Sequence, residues 1–254
     1  MKENMKEKNI VVGMGEIGTP IKKILSKKII CVGYDINPKL CEKKKLEKFS
    51  KLSTSILHVC IPFNGKFLQN IIKLNKEFQP KIIVIHSTIT PRTTEKLQTK
   101  LKIPVIYSAT RGVHKRMMHD LKRYTKFFSL ETNAPRKIWA KRKYALTMNK
   151  CGIKTEFMSN PVTLELAKII CDTSYYGWLI TYSQISKLIA DKHNVDYDEM
   201  WKFSEEIQKY LGNRPKMFPG IIGGHCVIPN LELINVKNLN LINEVNEIFK
   251  KQKN

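Results

Sequence analysis

The sequence predicts an α/β protein with a doubly wound, mainly parallel sheet of the Rossmann type, followed by a helical segment. Short β-type runs alternate with helical runs through about residue 158. A glycine pattern separates the first strand from the first helix, and a long helical pattern opens at Asn160 and Pro161. Such alternation is typical of parallel sheets, so we divide the chain into a sheet domain at 1–158 and a helical segment at 159–254.

The predicted strands and helices follow the order of successive β-α-β units. The first strand ends just before Gly13, and the second covers 29–34. Further strands are predicted at 56–61, 81–86, 105–108 and 126–130, and helices near 65–78, 91–101 and 135–151. In a parallel sheet the loops after the strands meet at one edge, where ligands bind.

The loop after the first strand has a G-x-G-x-x-G pattern, formed by Gly13, Met14, Gly15, Glu16, Ile17 and Gly18. In this pattern the first glycine makes a tight turn, the second lets a pyrophosphate approach the backbone, and the third lets helix and strand pack closely. The helix that follows directs its N-terminal N–H groups at the phosphates. Strand, glycine pattern and helix in this order predict a dinucleotide site.

Asp35 follows the second strand, about 20 residues after the glycines, where a carboxylate accepts hydrogen bonds from ribose hydroxyls. This position predicts NAD as the cofactor, and Lys39 keeps NADP open as the alternative. The loops after later strands add candidates for the same edge of the sheet: Pro62, Ser87 and Thr88 for the cofactor, and Arg111 and His114 for an anionic substrate.

The formal net charge of +23 over 254 residues indicates an anionic partner. Most of the basic residues are lysines, whereas specific nucleic-acid surfaces concentrate arginine among aromatic residues. We therefore expect a small anionic substrate rather than nucleic acid. The basic stretches at 114–126 and 136–143 are interpreted as solvated helix faces, with polyanion binding as the alternative.

Six cysteines without metal-ligand spacing predict reduced thiols, no metal and a cytoplasmic protein. The N-terminus is charged where a signal peptide would be apolar, and no segment has the length of an uninterrupted membrane span. We therefore expect neither a signal peptide nor a membrane partner.

The helical pattern from Pro161 could continue to Lys192 and is apolar on nearly every side. Because such a helix is buried against another domain or subunit, we expect it to pair two copies in a homodimer. Glu165, Lys168 and Asp172 are spaced by three and four residues on one side of it. Two interpretations stay open: a structural series of ion pairs, or an active-site lysine and carboxylate facing the nicotinamide.

Cys226 follows a glycine-rich segment that contains Gly220, Gly223 and Gly224. Glycines allow a ligand to approach closely, and a thiolate is a strong nucleophile. We interpret Cys226 as the nucleophile, with Gly223 and Gly224 beside the substrate. The alternative is a glycine-rich turn followed by a buried cysteine.

Together these motifs resemble those of the nucleotide-sugar 6-dehydrogenases. The Gly-Gly-His-Cys form resembles the UDP-N-acetylmannosamine dehydrogenase branch, and UDP-glucose dehydrogenase is a relative. The resemblance covers nearly the whole chain and rests on segments in the family's order, at 13–18, 35, 86–91, 165–172 and 223–226.

The resemblance implies an NAD-dependent oxidation of a C6 alcohol in two steps. In such enzymes a cysteine thiolate, here Cys226, adds to the intermediate aldehyde, and water later releases the carboxylate from a thioester. The resemblance also implies that Lys168 stabilises the oxyanion and that Thr88 and Asp172 position the water. Asn230 is a candidate to hold the same water together with Asp172, and the alternative is that Asp172 only pairs with Lys168 and Asn230 is a loop residue.

Three features depart from the family pattern. Family enzymes commonly carry Asn where this chain has Asp172, and Asp where it has Asn230, so the amide and the carboxylate are exchanged. The strand-end Asn-Pro-Glu of the UDP-glucose branch is replaced by residues 108–112, which add the cation of Arg111 and lack a glutamate. Few residues follow Cys226, so we expect the family's C-terminal UDP-binding domain to be lacking.

The sequence therefore predicts an NAD-dependent oxidoreductase that oxidises a sugar alcohol, carried on a UDP-sugar or on a smaller phosphorylated relative. One alternative is a two-electron dehydrogenase of a smaller phosphorylated or carboxylated substrate. The other is an NAD-binding interaction protein or pseudoenzyme with a basic surface.

Overall fold

A computed structural model describes residues 7–224 and 226–253, and the chain divides into two compact units between Leu166 and Ala167. The predicted boundary at 158 lies before this division. The first unit is built around one sheet, and the second is helical. This architecture confirms the predicted fold class.

The sheet of the first unit has seven strands in the order β2-β1-β3-β4-β5-β6-β7. The strands are β1 (Lys8–Val12), β2 (Cys31–Tyr34), β3 (Thr54–Val59), β4 (Ile82–Ile85), β5 (Val105–Tyr107), β6 (Lys126–Leu130) and β7 (Thr155–Phe157). The first five are parallel, β6 runs antiparallel to β5, and β7 is parallel to β6. The sheet is therefore doubly wound and mainly parallel.

The helices of the first unit connect these strands. They are α1 (Gly18–Leu25), α2 (Lys43–Lys48), α3 (Phe67–Phe78), α4 (Thr93–Gln98), α5 (Met117–Arg123) and α6 (Lys137–Lys150). A seventh helix, α7 (Pro161–Ala167), ends at the division between the units.

Strands β1, β3 and β4 are buried at every residue, as expected for a parallel sheet covered on both faces. Alternate side chains belong to two separate apolar cores. Val11 and Ile56 pack in a core with residues of α1, α5 and α6. Ile10 and Leu57 pack on the other face with residues of α3 and α4.

The helical run predicted from Pro161 to Lys192 is confirmed, and its middle is π-helical. It consists of α7, a π-helical segment at Lys168–Ser174, and α8 (Tyr175–Lys192). The second unit then adds α9 (Tyr197–Leu211), α10 (Val227–Glu232) and α11 (Leu241–Lys253). Helix α8 packs against both α9 and α11. Within the described residues, no helix combines the length and the apolar character needed to cross a membrane.

Part of the surface of this run is exposed in the single chain, so its predicted burial against a second copy stays a prediction. Large side chains such as Tyr175, Tyr176 and Tyr182 are exposed in the single chain. The buried positions of α8 are small or polar instead: Gly177, Thr181, Ser183, Gln184, Ser186 and Ala190. The small residues let neighbouring helices approach, whereas the three tyrosines keep much of their surface exposed among the described residues.

Candidate active site

The strand order reverses beside β1, whose neighbours are β2 and β3. Ligands of open α/β sheets bind in the crevice at such a reversal, outside the carboxyl ends of the strands. Directly after β1, Gly13 turns the chain with a φ of +88°. Its N–H group donates to the carbonyl oxygen of Tyr34 at 2.9 Å, so the loop is anchored to the sheet at its first residue.

Two glycines of this loop have no space for a side chain, whereas the one between them does. An added Cβ at Gly18 would lie 1.8 Å from the carbonyl oxygen of Gly13, and one at Gly13 would lie 2.8 Å from that of Cys60. At Gly15 an added Cβ would meet nothing within 4 Å. The backbone at Gly15 is therefore open just before α1, an arrangement that admits a pyrophosphate.

The carboxylate of Asp35 is hydrogen-bonded to the same loop. It accepts hydrogen bonds from the backbone N–H groups of Met14 at 2.7 Å and Asn37 at 2.8 Å. Because a carboxylate has about four acceptor positions, Asp35 keeps capacity for ribose hydroxyls. The remaining loop residues differ in exposure: Ile17 packs partly against the core, while the Glu16 side chain is exposed.

His114 and Arg111, the residues predicted to bind an anionic substrate, both contact this unit's own groups. His114 Nδ1 lies 2.8 Å from a carboxylate oxygen of Glu16. The Arg111 guanidinium donates to the carbonyl oxygen of Thr125 at 2.7 Å and lies 5.1 Å from the centre of the Phe127 ring. A guanidinium has five N–H donors, so Arg111 is an oriented cation with further donors for an anion.

The other predicted cofactor residues follow β3 and β4. The hydroxyl of Ser87 is directed inward and donates to the carbonyl oxygen of Ile61 at 2.6 Å, so Ser87 joins the two loops. Thr88 is half-buried and Pro62 is exposed. Pro62 and Thr88 are therefore more accessible to a ligand than Ser87.

A buried polar cluster that the sequence analysis missed lies at the carboxyl ends of β3 to β5. Lys126 on β6 is only 4% exposed. Its ammonium donates to the carbonyl oxygens of Ser108 at 2.9 Å and Ala109 at 3.0 Å, and to the hydroxyl of Thr110 at 3.0 Å. The cation therefore fixes the backbone of the segment that carries Arg111.

Two histidines extend this cluster. His86 Nδ1 lies 3.1 Å from the carbonyl oxygen of Ser108, and His86 Nε2 lies 2.9 Å from His58 Nδ1. Since a carbonyl only accepts, His86 carries its proton on Nδ1, and His58 donates from its own Nδ1. Burial, reinforced by the Lys126 ammonium, lowers the pKa of His58 to about 3 and that of His86 well below its usual range. Both rings are therefore neutral near pH 7.

The three charges predicted on one side of the long helix have separate partners. Glu165 is fully buried, and its carboxylate accepts from the N–H groups of Arg92 at 2.5 Å and Thr94 at 3.0 Å, and from the Thr94 hydroxyl at 2.6 Å. Lys168 instead pairs with Asp172 at 2.6 Å. The interpretation of these three residues as one series of ion pairs is therefore wrong, because the Glu165 carboxylate bonds to the N-terminal turn of α4 instead.

Lys168 and Asp172 lie in the π-helical segment, a conformation that often occurs at functional sites. The side chain of Lys168 is 13% exposed, and that of Asp172 is 43% exposed. The carboxylate thus lies nearer to solvent than the ammonium that it holds.

Cys226 immediately precedes α10 and is exposed, so the alternative of a buried cysteine is wrong. Half-buried Asn230 lies one turn later on α10, which packs against the π-helical segment. An added Cβ at Gly177 of α8 would lie 2.7 Å from a methyl carbon of Val227. The elements that carry Cys226, Asn230 and the Lys168–Asp172 pair are therefore neighbours within the second unit.

The glycines before Cys226 face open space. An added Cβ at Gly223 or Gly224 would meet nothing within 4 Å, and Gly224 has a φ of +76°. His225, which completes the predicted Gly-Gly-His-Cys motif, lies outside the described residues. Among the residues that the structure describes, no group of three or more His, Cys, Asp and Glu side chains could hold a metal ion.

These features define the chain as an α/β protein with a Rossmann-type sheet, with an exposed cysteine and a lysine–carboxylate pair on its helical unit. Similarity to known proteins is found among solved structures. Neither a protein-family model nor a curated protein matches the sequence.

Several solved structures match over nearly the whole chain. UDP-D-ManNAc dehydrogenase from Pyrococcus horikoshii is 20% identical with a TM-score of 0.74, and the match covers 96% of this chain and 68% of that one. UDP-N-acetyl-mannosamine dehydrogenase from Staphylococcus aureus is 18% identical with a TM-score of 0.74, covering 97% and 69%. UDP-glucose dehydrogenase from Pyrobaculum islandicum is 15% identical with a TM-score of 0.72, covering 98% and 69%.

This chain therefore has the fold of the UDP-sugar dehydrogenases. The resemblance predicted from the motifs is confirmed for the fold. The roles of individual residues stay predictions.

Proposed function

We propose that this protein oxidises the C6 alcohol of a nucleotide sugar to the carboxylate, with NAD as oxidant and Cys226 as nucleophile. The observation that carries the proposal is the second unit's arrangement of an exposed cysteine, which follows open glycines and directly precedes a helix packed against the Lys168–Asp172 segment. The dinucleotide loop of the first unit and the fold of the UDP-sugar dehydrogenases support it.

The first unit has features that fit NAD. The open backbone at Gly15 leaves room for a pyrophosphate, and Asp35 offers acceptors to the adenosine ribose. The other predicted contacts are Gly13, Met14, Glu16, Ile17, Gly18, Pro62, Ser87 and Thr88. When bound, NAD supplies the acceptor of the hydride in each of two oxidations.

Cys226 supplies the chemistry that a simple alcohol dehydrogenase lacks. Its thiolate forms a C–S bond to the aldehyde carbon, and the resulting thiohemiacetal carries a hydrogen that can leave as hydride. Loss of that hydride and of the hydroxyl proton gives a thioester. Attack by water then breaks the C–S bond and releases the carboxylate and the thiolate.

Lys168 and Asp172 have complementary roles in this proposal. The ammonium of Lys168 stabilises the oxyanion that develops in each addition step, because a fixed positive charge favours developing negative charge. Asp172, which holds that ammonium at 2.6 Å, accepts a proton from the hydrolytic water. Asn230 is proposed to orient the same water.

The substrate is proposed to be anionic. The net charge of +23 favours the approach of a negatively charged sugar nucleotide. Arg111, whose guanidinium is already oriented by Thr125 and Phe127, is proposed to bind a phosphate or carboxylate together with His114. The open backbone of Gly223 and Gly224 is proposed to contact the sugar.

We also propose a homodimer formed through α8. The side chains of Tyr175, Tyr176 and Tyr182 are 58%, 51% and 62% exposed in the single chain, and large aromatic side chains are enriched at subunit interfaces. Light scattering should give twice the mass of one chain, and a monomer mass at all concentrations contradicts this proposal.

The experiment is a turnover assay with a panel of UDP-sugars. Purified protein is incubated with NAD and each sugar, and both NADH and sugar carboxylate are measured. We expect two NADH per carboxylate with at least one sugar. Cys226→Ser should bind NAD normally and form carboxylate at least about a hundredfold more slowly, because a hydroxyl is a far weaker nucleophile than a thiolate.

Cys171→Ser is the matched control, because Cys171 is the other exposed cysteine of the second unit and should be dispensable. One NADH per product would instead indicate a two-electron dehydrogenase. NAD binding without turnover of any sugar would indicate an NAD-binding interaction protein. Carboxylate production by Cys226→Ser at the rate of the unsubstituted protein would rule out the covalent step.

A further inference from the structure

The segment that leads to Cys226 is held by two side chains for which the sequence analysis gave no role. Asn246 lies on α11 and Gln184 lies on α8, and both are fully buried. Their amide groups contact the backbone at Gly220 and Ile222. All four residues belong to the second unit.

Asn246 pairs with one residue of this segment in the way that a neighbouring strand would. Its side-chain oxygen accepts from the N–H group of Ile222 at 2.8 Å, and its side-chain NH₂ donates to the carbonyl oxygen of Ile222 at 3.1 Å. Because both backbone polar groups of Ile222 are satisfied by one side chain, the orientation of that residue is fixed. The Ile222 side chain is itself buried in a small apolar core with Val227 and Ile242.

Gln184 adds a second point of attachment. Its NH₂ group donates to the carbonyl oxygen of Gly220 at 2.8 Å and to the side-chain oxygen of Asn246 at 3.0 Å. The two amides therefore hold the segment at positions 220 and 222. The chain from Gly223 to Cys226 follows directly after these two attachments.

We propose that Asn246 and Gln184 form an amide clamp that orients Cys226 for attack, so that both are positioning residues for the nucleophile. This inference rests on the proposed role of Cys226 and adds to it. The clamp attaches the backbone at positions 220 and 222 to buried side chains. Gly223 and Gly224 have open space beside them, so a substrate can still reach the cysteine.

The test compares Asn246→Leu and Gln184→Met with the unsubstituted full chain. Both substitutions nearly preserve side-chain size and remove the amide. The matched control is Gln98→Leu, because the buried amide of Gln98 also makes three hydrogen bonds to backbone groups, at Leu101, Ile103 and Val105 of the first unit.

Three quantities are measured: amide hydrogen exchange of peptides covering 219–226, the rate of alkylation of Cys226 by iodoacetamide relative to Cys171, and kcat with the best sugar. Asn246→Leu should speed exchange in 219–226 by about tenfold, because fixed backbone groups lose their partners. Alkylation of Cys226 should rise while kcat falls about tenfold, since access increases as orientation is lost.

Gln184→Met should change the same quantities in the same direction by a smaller factor. If Asn246→Leu does not fold, the results for Gln184→Met decide the outcome. Gln98→Leu should change none of the three. The proposal is overturned if folded variants leave exchange and alkylation at 219–226 unchanged, or if the segment loosens while kcat stays constant. If the unsubstituted protein oxidises no sugar, the proposed function fails, and exchange and alkylation alone decide whether the clamp holds the cysteine segment.

Discussion

The two glycine-rich segments of this protein are fixed by different means. In the loop after β1, glycine is required by packing: an added Cβ at Gly18 would lie 1.8 Å from the carbonyl oxygen of Gly13. In the segment before Cys226, Gly223 and Gly224 have open space, and the attachment comes from buried amide side chains. Glycines therefore allow close backbone packing in the first unit and access to a cysteine in the second.

The largest expected effect is that of Gly18→Ala. The added methyl group overlaps a backbone oxygen that cannot move without displacing the turn at Gly13. We expect a loss of about 3 kcal/mol or more in the free energy of unfolding, at the upper end for an overpacked site, and loss of NAD binding. Urea denaturation and calorimetry measure the two quantities.

The control for that prediction is Gly15→Ala in the same loop. Its methyl group meets no protein atom within 4 Å, so stability should change little. NAD affinity should still fall, because the methyl group occupies the space proposed for the pyrophosphate. Equal stability losses for the two variants would contradict the difference in packing described here.

A smaller effect is expected at Glu42, which supports the first glycine loop through β2. Its carboxylate accepts from the N–H group of Gly33 and from the ammonium groups of Lys22 and Lys45. Burial alone would raise the pKa of Glu42, but these three donors outweigh it and lower the pKa from 4.5 to about 2.

A carboxylate whose pKa is lower in the folded state stabilises that state at pH values above its pKa in the unfolded state. For Glu42 this stabilisation is lost as the pH falls from about 4.5 towards 2. Glu42→Gln should therefore cost about 1–2 kcal/mol at pH 7, after allowance for solvent screening, and should flatten the decline in stability below pH 5. Glu7, whose pKa also falls to about 2, should maintain part of that decline. An unchanged pH profile would show that Glu42 does not contribute.

The smallest effects are expected in the cysteine segment. Gly224→Ala should cost about 1 kcal/mol, because a residue with a Cβ is strained at positive φ. Gly223→Ala should be nearly neutral for stability, since nothing lies within 4 Å of the added carbon. If Gly223→Ala lowers the urea midpoint of unfolding as much as Gly18→Ala does, the two glycine segments do not differ in the space that they leave for a side chain.

The parts of the structure that the sequence predicts are those determined by local patterns. The Gly13 turn and the succession of strands and helices depend on neighbouring residues, and they are observed near the predicted positions. Strand β7 was missed because it has three residues and no apolar alternation. Helix α9 was also missed, although Asp196 caps its N-terminus by accepting from the N–H group of Glu199.

The parts that the sequence does not predict depend on contacts between distant positions. Nothing near Asn246 indicates that it bonds Ile222, 24 residues earlier. A lysine in a strand such as Lys126 is usually solvated, and its buried position follows only from the carbonyl groups that surround it. The spacing of Glu165 and Lys168 indicated that they share one side of the helix, but it did not indicate that Glu165 bonds to the backbone at Arg92 and Thr94 while Lys168 pairs with Asp172.

The most direct test of the proposed mechanism is to trap the covalent intermediate. The protein is mixed with NAD and the best UDP-sugar, quenched with acid during turnover, digested, and examined by mass spectrometry. The account predicts a sugar adduct on the peptide that contains Cys226 and none on the peptide that contains Cys171. Carboxylate formed at the full rate while the Cys226 peptide stays unmodified at every quench time would contradict it.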